Sequence, residues 1–346
     1  MAERYAVSAG NWVAARFDGD TLPGPDDTVH ANGYAVTVDV SITVAALSTR
    51  PGAVAVAGGS FTTSGAVVVN AESYAGTTTC LRLASSSGSI QNGNSHGSNT
   101  TNNCFGTLAN IGTTQNGNAY GGNGSYRFGS DILSGTLNGN CHGGSSGAAG
   151  AHVRSNAKLN GNTYGGTTAG SVGCYLSFRS IQVGNSYGSG AATGSEVTNG
   201  SIHRGDSFGG TGPGSNARGS NLYASFHIGN ATGGTVPGNG GTNLDNGAIF
   251  VGSAIGGSIS FAEGVSSGNG SVIVLTGAQN NAAKAARIGV NTAIILKNGT
   301  TAADTITTAA AGTYEIATDN SPNYPFLSSS VSGFTGILGL GGHVGT

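Results

Sequence analysis

The stretch that decides the fold is Gly139-Asn140-Cys141-His142-Gly143-Gly144, because its pattern recurs along the middle of the chain. The pattern is Gly, then Asn or Asp, any residue, an aromatic residue or His, Gly, and finally Gly or Ser. Copies begin at glycines 93, 117, 139, 161, 184, 205 and 229, so they are 24, 22, 22, 23, 21 and 24 residues apart. The last copy is degenerate, and Tyr74 marks an earlier relative of the motif. A repeat of about 20 to 50 residues is the signature of a solenoid.

Short aliphatic segments precede the motif and are typical of strands separated by glycine turns. Their apolar residues lie two or three positions before the first glycine of a copy: Ile90, Leu137, Leu159, Ile181, Ile202 and Phe226. A repeat this small cannot close a core alone, so each strand must pair with its equivalents in neighbouring coils. We therefore predict an all-β chain folded as a parallel β-solenoid, with about 22–24 residues per coil. A sandwich of polyproline-II-like helices is the alternative.

The Gly-Asn pair of the motif predicts the corners of the coils. Gly and Asn both tolerate left-handed backbone conformations, and Asn side chains stacked along an axis can bond one another. No Gly-Lys-Ser or Gly-Lys-Thr follows a glycine cluster, as a phosphate-binding loop requires. The loops also lack the Asp of a calcium-binding nonapeptide repeat. We expect no cofactor and no metal.

Composition excludes several classes of protein. The 346 residues include 64 Gly but only 7 Pro, and the glycines do not fall at every third position, so the chain is not collagen-like. Charged residues make up 8% and apolar residues 37%, which favours folding over disorder. The net charge of −2 offers no basic surface for nucleic acid. No apolar run reaches the roughly 20 residues that membrane insertion requires.

The flanks differ from the repeats and suggest three regions. Residues 1–70 contain alternating apolar strands at 35–38, 42–44 and 67–69 and predict an N-terminal β cap, followed by solenoid repeats over 71–264. Residues 265–346 predict a small β-rich C-terminal domain. It would have strands at 271–275, 292–296 and 313–317, a short helix at 281–287 and an apolar tail at 333–346.

The N-terminal region resembles the opening of β-helical fibre and spike proteins of tailed bacteriophages, and of related bacterial surface β-helices. The resemblance lies in Ala9-Gly10-Asn11-Trp12, Leu22-Pro23-Gly24-Pro25-Asp26-Asp27-Thr28-Val29 and the strand from Asn32 to Asp39. In those proteins a Trp-containing segment, a Pro-x-x-x-Asp turn and a strand ending in Asp start the solenoid. The resemblance covers about the first 60 residues.

The resemblance implies a structural virion protein: a fibre, spike or head-decoration protein. It implies a homotrimer that contacts other virion proteins and attaches to host surface glycan. The start of the chain lacks the basic and apolar regions of a signal peptide, so we expect synthesis in the host cytoplasm and location in the virion. The alternatives are a polysaccharide depolymerase and a bacterial ice- or surface-binding solenoid, although Thr runs do not keep the coil period.

Acidic residues are too few to favour an enzyme. Residues 70–234 contain only Glu72, Asp131, Glu196 and Asp206, with no recurring spacing that would oppose two carboxylates across a glycosidic bond. A lyase could instead use Tyr, His and Arg, for example around His142 and His152. We predict that the chain is not an enzyme.

One slot of the motif holds a ring in nearly every copy. Two roles are open: a stacked ladder that covers the corner, which we favour, or a strip that binds glycan. The residues in this slot are Tyr74, His96, Tyr120, His142, Tyr164, Tyr187 and Phe208.

Two of the four cysteines occupy equivalent positions. Cys80 and Cys104 each lie 13 residues before a motif glycine, so they should stack in adjacent coils at a spacing that suits a disulfide. We predict their contact, with reduced, buried thiols favoured over a bond. The spacing of the four, which include Cys141 and Cys174, does not match a zinc site.

Overall fold

The computed structural model describes most of the chain up to residue 275 and the backbone of five short strands beyond it. The described residues are 2–52, 54–76, 80–83, 88–98, 105–122, 128–145, 149–167, 170–212, 217–235, 240–256, 264–268, 270–275, 286–288, 293–296, 308–309, 315–318 and 337–338. Their regular structure is β-strand, apart from the 3₁₀ helices Ala14–Arg16 and Asp18–Asp20. Within these residues, no helix is long and apolar enough to cross a membrane.

The strands are short and follow one another at the coil period. The first nineteen are β1 Glu3–Tyr5, β2 Gly10–Asn11, β3 Thr28–His30, β4 Ala35–Val38, β5 Ile42–Ser48, β6 Ser60–Thr63, β7 Val68–Tyr74, β8 Leu81–Leu83, β9 Ile90–Asn92, β10 Ser95–His96, β11 Thr107–Ala109, β12 Thr114–Asn116, β13 Ala119–Tyr120, β14 Ser130–Leu133, β15 Thr136–Asn138, β16 Cys141–His142, β17 Ala151–Arg154, β18 Lys158–Asn160 and β19 Thr163–Tyr164. The others are β20 Cys174–Ser177, β21 Ile181–Val183, β22 Ser186–Tyr187, β23 Ser195–Thr198, β24 Ile202–Arg204, β25 Ser207–Phe208, β26 Ser220–Tyr223, β27 Phe226–Ile228, β28 Ala231–Thr232, β29 Thr242–Asp245, β30 Ile249–Gly252, β31 Ala254–Ile255, β32 Val265–Ser267, β33 Val272–Leu275, β34 Ala286–Ile288, β35 Ala293–Leu296, β36 Thr308–Ala309, β37 Glu315–Thr318 and β38 Ile337–Leu338.

The chain divides into two compact units: unit 1 comprises residues 1–174 and 180–182, and unit 2 comprises 175–179 and 183–346. Each unit has a motif sheet, which carries the repeated motif, and a second sheet. In unit 1 the motif sheet pairs β1, β3, β5 and β7 in parallel, then β9/β10, β12/β13, β15/β16 and β18/β19. Its second sheet runs β2, β4, β6, β8, β11, β14 and β17, also parallel.

Unit 2 repeats this arrangement. Its motif sheet pairs β22, β25, β28 and β31, and beside them β24, β27, β30, β33, β35, β37 and β38, all in parallel. Its second sheet includes β23, β26, β29, β32, β34 and β36. The predicted parallel β-solenoid is confirmed, and paired strands replace the polyproline-II alternative.

Glycine at the motif corners is required by close packing between coils. Gly117 has a φ of +145°, and Gly205 has +141°. A Cβ on Gly117 would lie 2.2 Å from the backbone oxygen of Gly93, and one on Gly139 would lie 2.1 Å from that of Gly117. Real Cβ atoms do not approach this closely, so the motif glycine permits both the backbone angle and the coil spacing.

Asparagine acts at the corner in a different way from the one predicted. Among the described residues with positive φ the motif Asn does not occur, so its predicted left-handed conformation is wrong. Instead its side-chain oxygen accepts a backbone bond from the next coil: the N–H of Asn118 donates to Asn94 Oδ1 at 2.8 Å. The predicted Asn-to-Asn bonds involve the Asn before the glycine, where Nδ2 donates to Oδ1 one coil away at 2.7–2.8 Å. This amide ladder consists of Asn70, Asn92, Asn116, Asn138 and Asn160.

The core lies between the inner faces of the two sheets. In unit 1, Ser130 Oγ of the second sheet lies 3.0 Å from Cys141 Sγ of the motif sheet. The middle residue of each short motif-sheet strand points inward, so Leu137 is buried but so is Gln115, whose Nε2 donates to Ser95 Oγ at 2.9 Å. This bond satisfies the buried amide nitrogen of Gln115, which would otherwise be costly to bury.

The N-terminal segment covers the first strand. Tyr5 N–H donates to Asp18 Oδ1 at 2.9 Å, and Val7 N–H donates to the backbone oxygen of Arg16 at 2.8 Å. Trp12 is buried, with its ring 4.7 Å from that of Phe17. These contacts occupy backbone groups at the sheet edge, where a second chain could otherwise pair.

The strands outside the repeats join the same ladders. Those predicted at 35–38, 42–44 and 67–69 lie in β4, β5 and β7, with Val67 just before β7, and those predicted near 271–275, 292–296 and 313–317 lie in β33, β35 and β37. The predicted helix at 281–287 is wrong for Ala286 and Arg287, which pair in strand β34, and its remaining residues lie outside the described part. The boundaries at 70 and 264 stay predictions.

Candidate functional site

The seven rings predicted to share one slot form stacks. In unit 1, Tyr74, His96, Tyr120, His142 and Tyr164 have successive ring centroids 4.6, 4.9, 4.9 and 4.6 Å apart, with ring planes within 10° of parallel. In unit 2, the rings of Tyr187 and Phe208 are 4.9 Å apart and 6° from parallel. The stacks follow from the register, which pairs each ring with its equivalent one coil away.

Stacking limits what these rings can bind. Each ring inside the unit 1 stack has both faces against a neighbour, so its edge alone is left for solvent or a ligand. The outer face of Tyr74 lies under Arg50, whose guanidinium carbon is 5.0 Å from the ring centroid. A glycan that stacks on an aromatic face would find these faces covered. The geometry favours the structural ladder, and a glycan-binding role for these seven residues stays a prediction.

The two histidines of the stack have pKa values below the ordinary value, which favours the neutral ring. Partial burial lowers the pKa of His96, and this effect outweighs the opposing hydrogen bond to the Glu72 carboxylate and the charge of that carboxylate. Burial likewise lowers the pKa of His142. A neutral imidazole stacks between tyrosines without placing a charge between the coils.

Two of the four acids identified in the repeats support the corners. Glu72 Oε1 accepts a bond from Asn94 Nδ2 at 3.1 Å, and its other oxygen lies 3.4 Å from His96 Nε2. Asp206 takes the place of the motif Asn and accepts the backbone N–H of Asn230 at 2.8 Å. Both carboxylates therefore stabilise the coil stack.

Asp131 lies in a three-residue cluster on the outer face of the second sheet in unit 1. Arg154 binds it in a bidentate manner, with Nε to Oδ1 at 3.1 Å and Nη2 to Oδ2 at 2.8 Å. His152 is the register partner of Asp131, and its Nδ1 lies 3.5 Å from Oδ1. The Phe128 ring lies 5.3 Å from that of His152. Because the guanidinium occupies both oxygens of Asp131, this carboxylate is a poor nucleophile or base.

Unit 2 places Glu196 on the outer face of its second sheet. Glu196 is half-buried, and burial raises its pKa. Burial and the charge of Glu196 together raise the pKa of Tyr175 to about 12. The register partner of Glu196 is Asn221, whose Oδ1 accepts a bond from Asn243 Nδ2 at 3.0 Å. Glu196 thus faces an amide at this register position, whereas glycoside hydrolysis needs a second carboxylate.

Four exposed residues lie at or just after the C-terminal ends of the second-sheet strands β20, β26 and β29, and we call them the second-sheet edge: Phe178, Arg179, Tyr223 and Asp245. The side chains of Phe178 and Tyr223 are 59% and 47% exposed. Phe178 has a φ of +55° and Arg179 of +62°, in the turn that follows β20. Corresponding turns after other second-sheet strands place small residues at positive φ: Ser134, Ser155, Asn156, Asn199, Ala224 and Asn246. An exposed phenylalanine there is conformationally costly and suggests a role outside the fold.

The remaining predicted residues are separated. His142 belongs to the motif sheet and His152 to the second sheet, so the two candidate lyase histidines do not share a face. Cys80, Cys141 and Cys174 are free, buried thiols, and Cys104 lies outside the described residues, so its contact with Cys80 stays a prediction. Within the described part, no group of three or more His, Cys, Asp or Glu side chains could hold a metal ion.

Sequence reasoning missed two features. One is the buried pair His203 and His227, whose rings meet edge to face with centroids 4.7 Å apart. The signal was present, because both are the middle residue of a motif-sheet strand. The other is the second-sheet edge. Phe178 lies outside the repeated motif and does not change its spacing, so the sequence pattern gives no signal for it.

Comparison with known proteins adds no relative. No protein-family profile, no curated protein and no solved structure matches this chain.

Proposed function

We propose that this chain is a structural virion protein of a tailed bacteriophage: a fibre, spike or decoration protein that acts without catalysis. The supporting observation is that its polar and aromatic side chains are used to join one coil to the next. The amide ladder, the ring stacks and the Asp131–Arg154 pair all follow this rule. The resemblance in residues 9–60 points to the same class.

The proposed attachment to host surface glycan fits the second-sheet edge of unit 2 better than the ring stacks. Phe178 and Tyr223 expose much of their surface, whereas the stacked rings cover one another. Arg179 and Asp245 are also exposed and can bond sugar hydroxyls. Aromatic side chains and a few polar groups are the kinds of residue that line sites for small ligands.

The proposed location is tested by proteomics of virus particles purified from the source of the gene. We expect peptides of this chain to sediment with the capsid protein at a fixed ratio. Peptides found only in the cell fraction would contradict a virion role.

The proposed lack of catalysis is tested separately. Purified protein is incubated with host capsule polysaccharide, and new reducing or unsaturated ends are measured. We expect none above the buffer control. A steady release of ends would favour the depolymerase alternative instead.

A further inference from the structure

The outer face of the motif sheet in unit 2 carries two columns of apolar side chains. Register pairing places the first residues of β24, β27, β30 and β33 in one column and the third residues in the other. We call this surface the apolar face; it consists of Ile202, Phe226, Ile249 and Val272 in one column, and Arg204, Ile228, Val251 and Val274 in the other.

These side chains point away from the core. The middle residues of the same strands, such as His227 and Phe250, are fully buried, so the residues on either side of them face outward. Phe226 is 39% exposed and Ile228 is 44% exposed. Arg204 is the one charged residue among the eight, and it lies on the first of the four strands.

Unit 1 shows that the fold does not require apolar residues at these positions. The corresponding places in β12, β15 and β18 hold Thr114 and Asn116, Thr136 and Asn138, and Lys158 and Asn160. There the Asn side chains form the amide ladder, with bonds of 2.7–2.8 Å. The same coil geometry therefore accepts polar residues at these positions, and unit 2 has apolar residues there instead.

The geometry points to a second copy of this chain as the partner that covers the apolar face. Its side chains recur at the coil spacing, about 4.8 Å, and sheets pack face to face when their side chains interdigitate. Another copy presents the same period by construction. Because Arg204 is the one charged side chain among the eight, two such faces meet with little electrostatic repulsion. Two copies that meet through the same face form a dimer with twofold symmetry, so this inference departs from the homotrimer that the N-terminal resemblance implies.

The size of the face indicates the strength of the contact. Eight partly exposed side chains present on the order of 400 Å², which is within the size range of the largest apolar patch on a typical monomer, a patch that is often functional. A standard interface buries about 800 Å² per partner. The apolar face is about half that size, so we expect weak association that depends on protein concentration in the micromolar range.

The test measures the mass of the full-length chain by light scattering over a concentration series. We expect a multiple of the 33.7 kDa chain mass that falls to a single chain on dilution. The double variant Phe226→Thr with Ile228→Asn introduces the residues that unit 1 uses at these positions, and it should stay at single-chain mass throughout. Thr136→Ala, at the equivalent place in unit 1, is the control and should assemble like the wild type.

Circular dichroism of each variant shows whether the fold is kept, and Val251→Thr gives a second, milder test. A wild type that assembles equally well with and without the face substitutions would overturn the inference but leave the proposed homotrimer standing. A wild type of single-chain mass at every concentration would overturn both. Neither outcome bears on the presence of the chain in virions.

Discussion

Acidification should destabilise unit 2 through its buried histidine pair. His203 Nε2 donates to the backbone oxygen of Gly184 at 2.9 Å, and its Nδ1 accepts from Ser207 Oγ at 3.1 Å. One donating and one accepting nitrogen is the pattern of a neutral imidazole ring. His227 Nε2 donates to the backbone oxygen of Gly205 at 3.0 Å, while its buried Nδ1 has no hydrogen-bond partner. A proton added to either ring would have to be solvated inside the core.

The size of the effect follows from the pKa of His203, which burial lowers to about 4 despite the backbone bond to Gly184 and the charge of Asp206. Burial and the neighbouring His203 also lower the pKa of His227. In the unfolded chain both rings titrate near 6.5, so as the pH falls from there the unfolded state takes up protons first. The free energy of unfolding should fall through this window, by about 3 kcal/mol at pH 4 for His203 alone. It should level off below pH 4 for this residue.

The assay is urea unfolding followed by circular dichroism between pH 7 and pH 4, in wild type and in His203→Gln. Glutamine fills the equivalent middle position of strands β9, β12 and β21, so the variant should fold. We expect it to lose about 3 kcal/mol less stability than the wild type over this range. His142→Gln, on a half-buried ring, is the control and should change the pH dependence less. Equal losses in wild type and His203→Gln would refute the reasoning.

Three further predictions concern single positions. Gly117→Ala should lower the free energy of unfolding by more than about 3 kcal/mol, because its Cβ meets the preceding coil. Gly112→Ala, at φ +69° in open space, should lower it by about 1 kcal/mol. Equal urea midpoints for the two variants would contradict this. Phe178→Asn should raise stability by about 1 kcal/mol by suiting its left-handed φ, yet weaken binding to host polysaccharide in a pull-down; unchanged binding would remove the second-sheet edge as the glycan surface. Burial raises the pKa of Cys80 and Cys141 to about 12, so both should resist a thiol reagent at pH 8 until the chain unfolds; mass spectrometry showing rapid labelling of the native protein would argue against this.

The architecture could be predicted because the motif recurs at a nearly constant spacing in the sequence. Glycines at intervals of 21 to 24 residues mark corners that admit no side chain, and the ring slot marks a column. Once the coils stack, the pairing of His142 with Tyr120 and Tyr164 follows from spacing alone. Local residues and global register agree at these positions, which is why the pattern was legible.

Whether a side chain points into the core or toward solvent could not be predicted in the same way, because strands of three residues show too little alternation. Gln91 is buried while the neighbouring Ile90 faces outward, the reverse of what hydrophobicity suggests. The buried Gln is accommodated by its bond to Ser73 Oγ at 3.2 Å, which arises only after the coils stack. The same limit hid the buried His203 and the outward apolar face.

The candidate sites were the least predictable part. Counting acids showed that they were few, but the diagonal contact between Asp131 and Arg154 joins residues 23 positions apart in neighbouring coils. Phe178 is unusual for its backbone angle and exposure, neither of which is visible in a one-dimensional pattern. The proposed glycan surface therefore lies at positions that the repeat does not encode.

The coil-to-coil register of the motif is the central claim, and paired cysteine substitutions test it most directly. Asn116 and Asn138 are register partners in adjacent strands, so cysteines at both positions should form a disulfide on mild oxidation. Asn116 and Asn160 lie two coils apart, about 10 Å, so cysteines there should not. Bridging at 116 and 138 alone is the predicted result. Bridging at 116 and 160, with none at 116 and 138, would contradict the solenoid register.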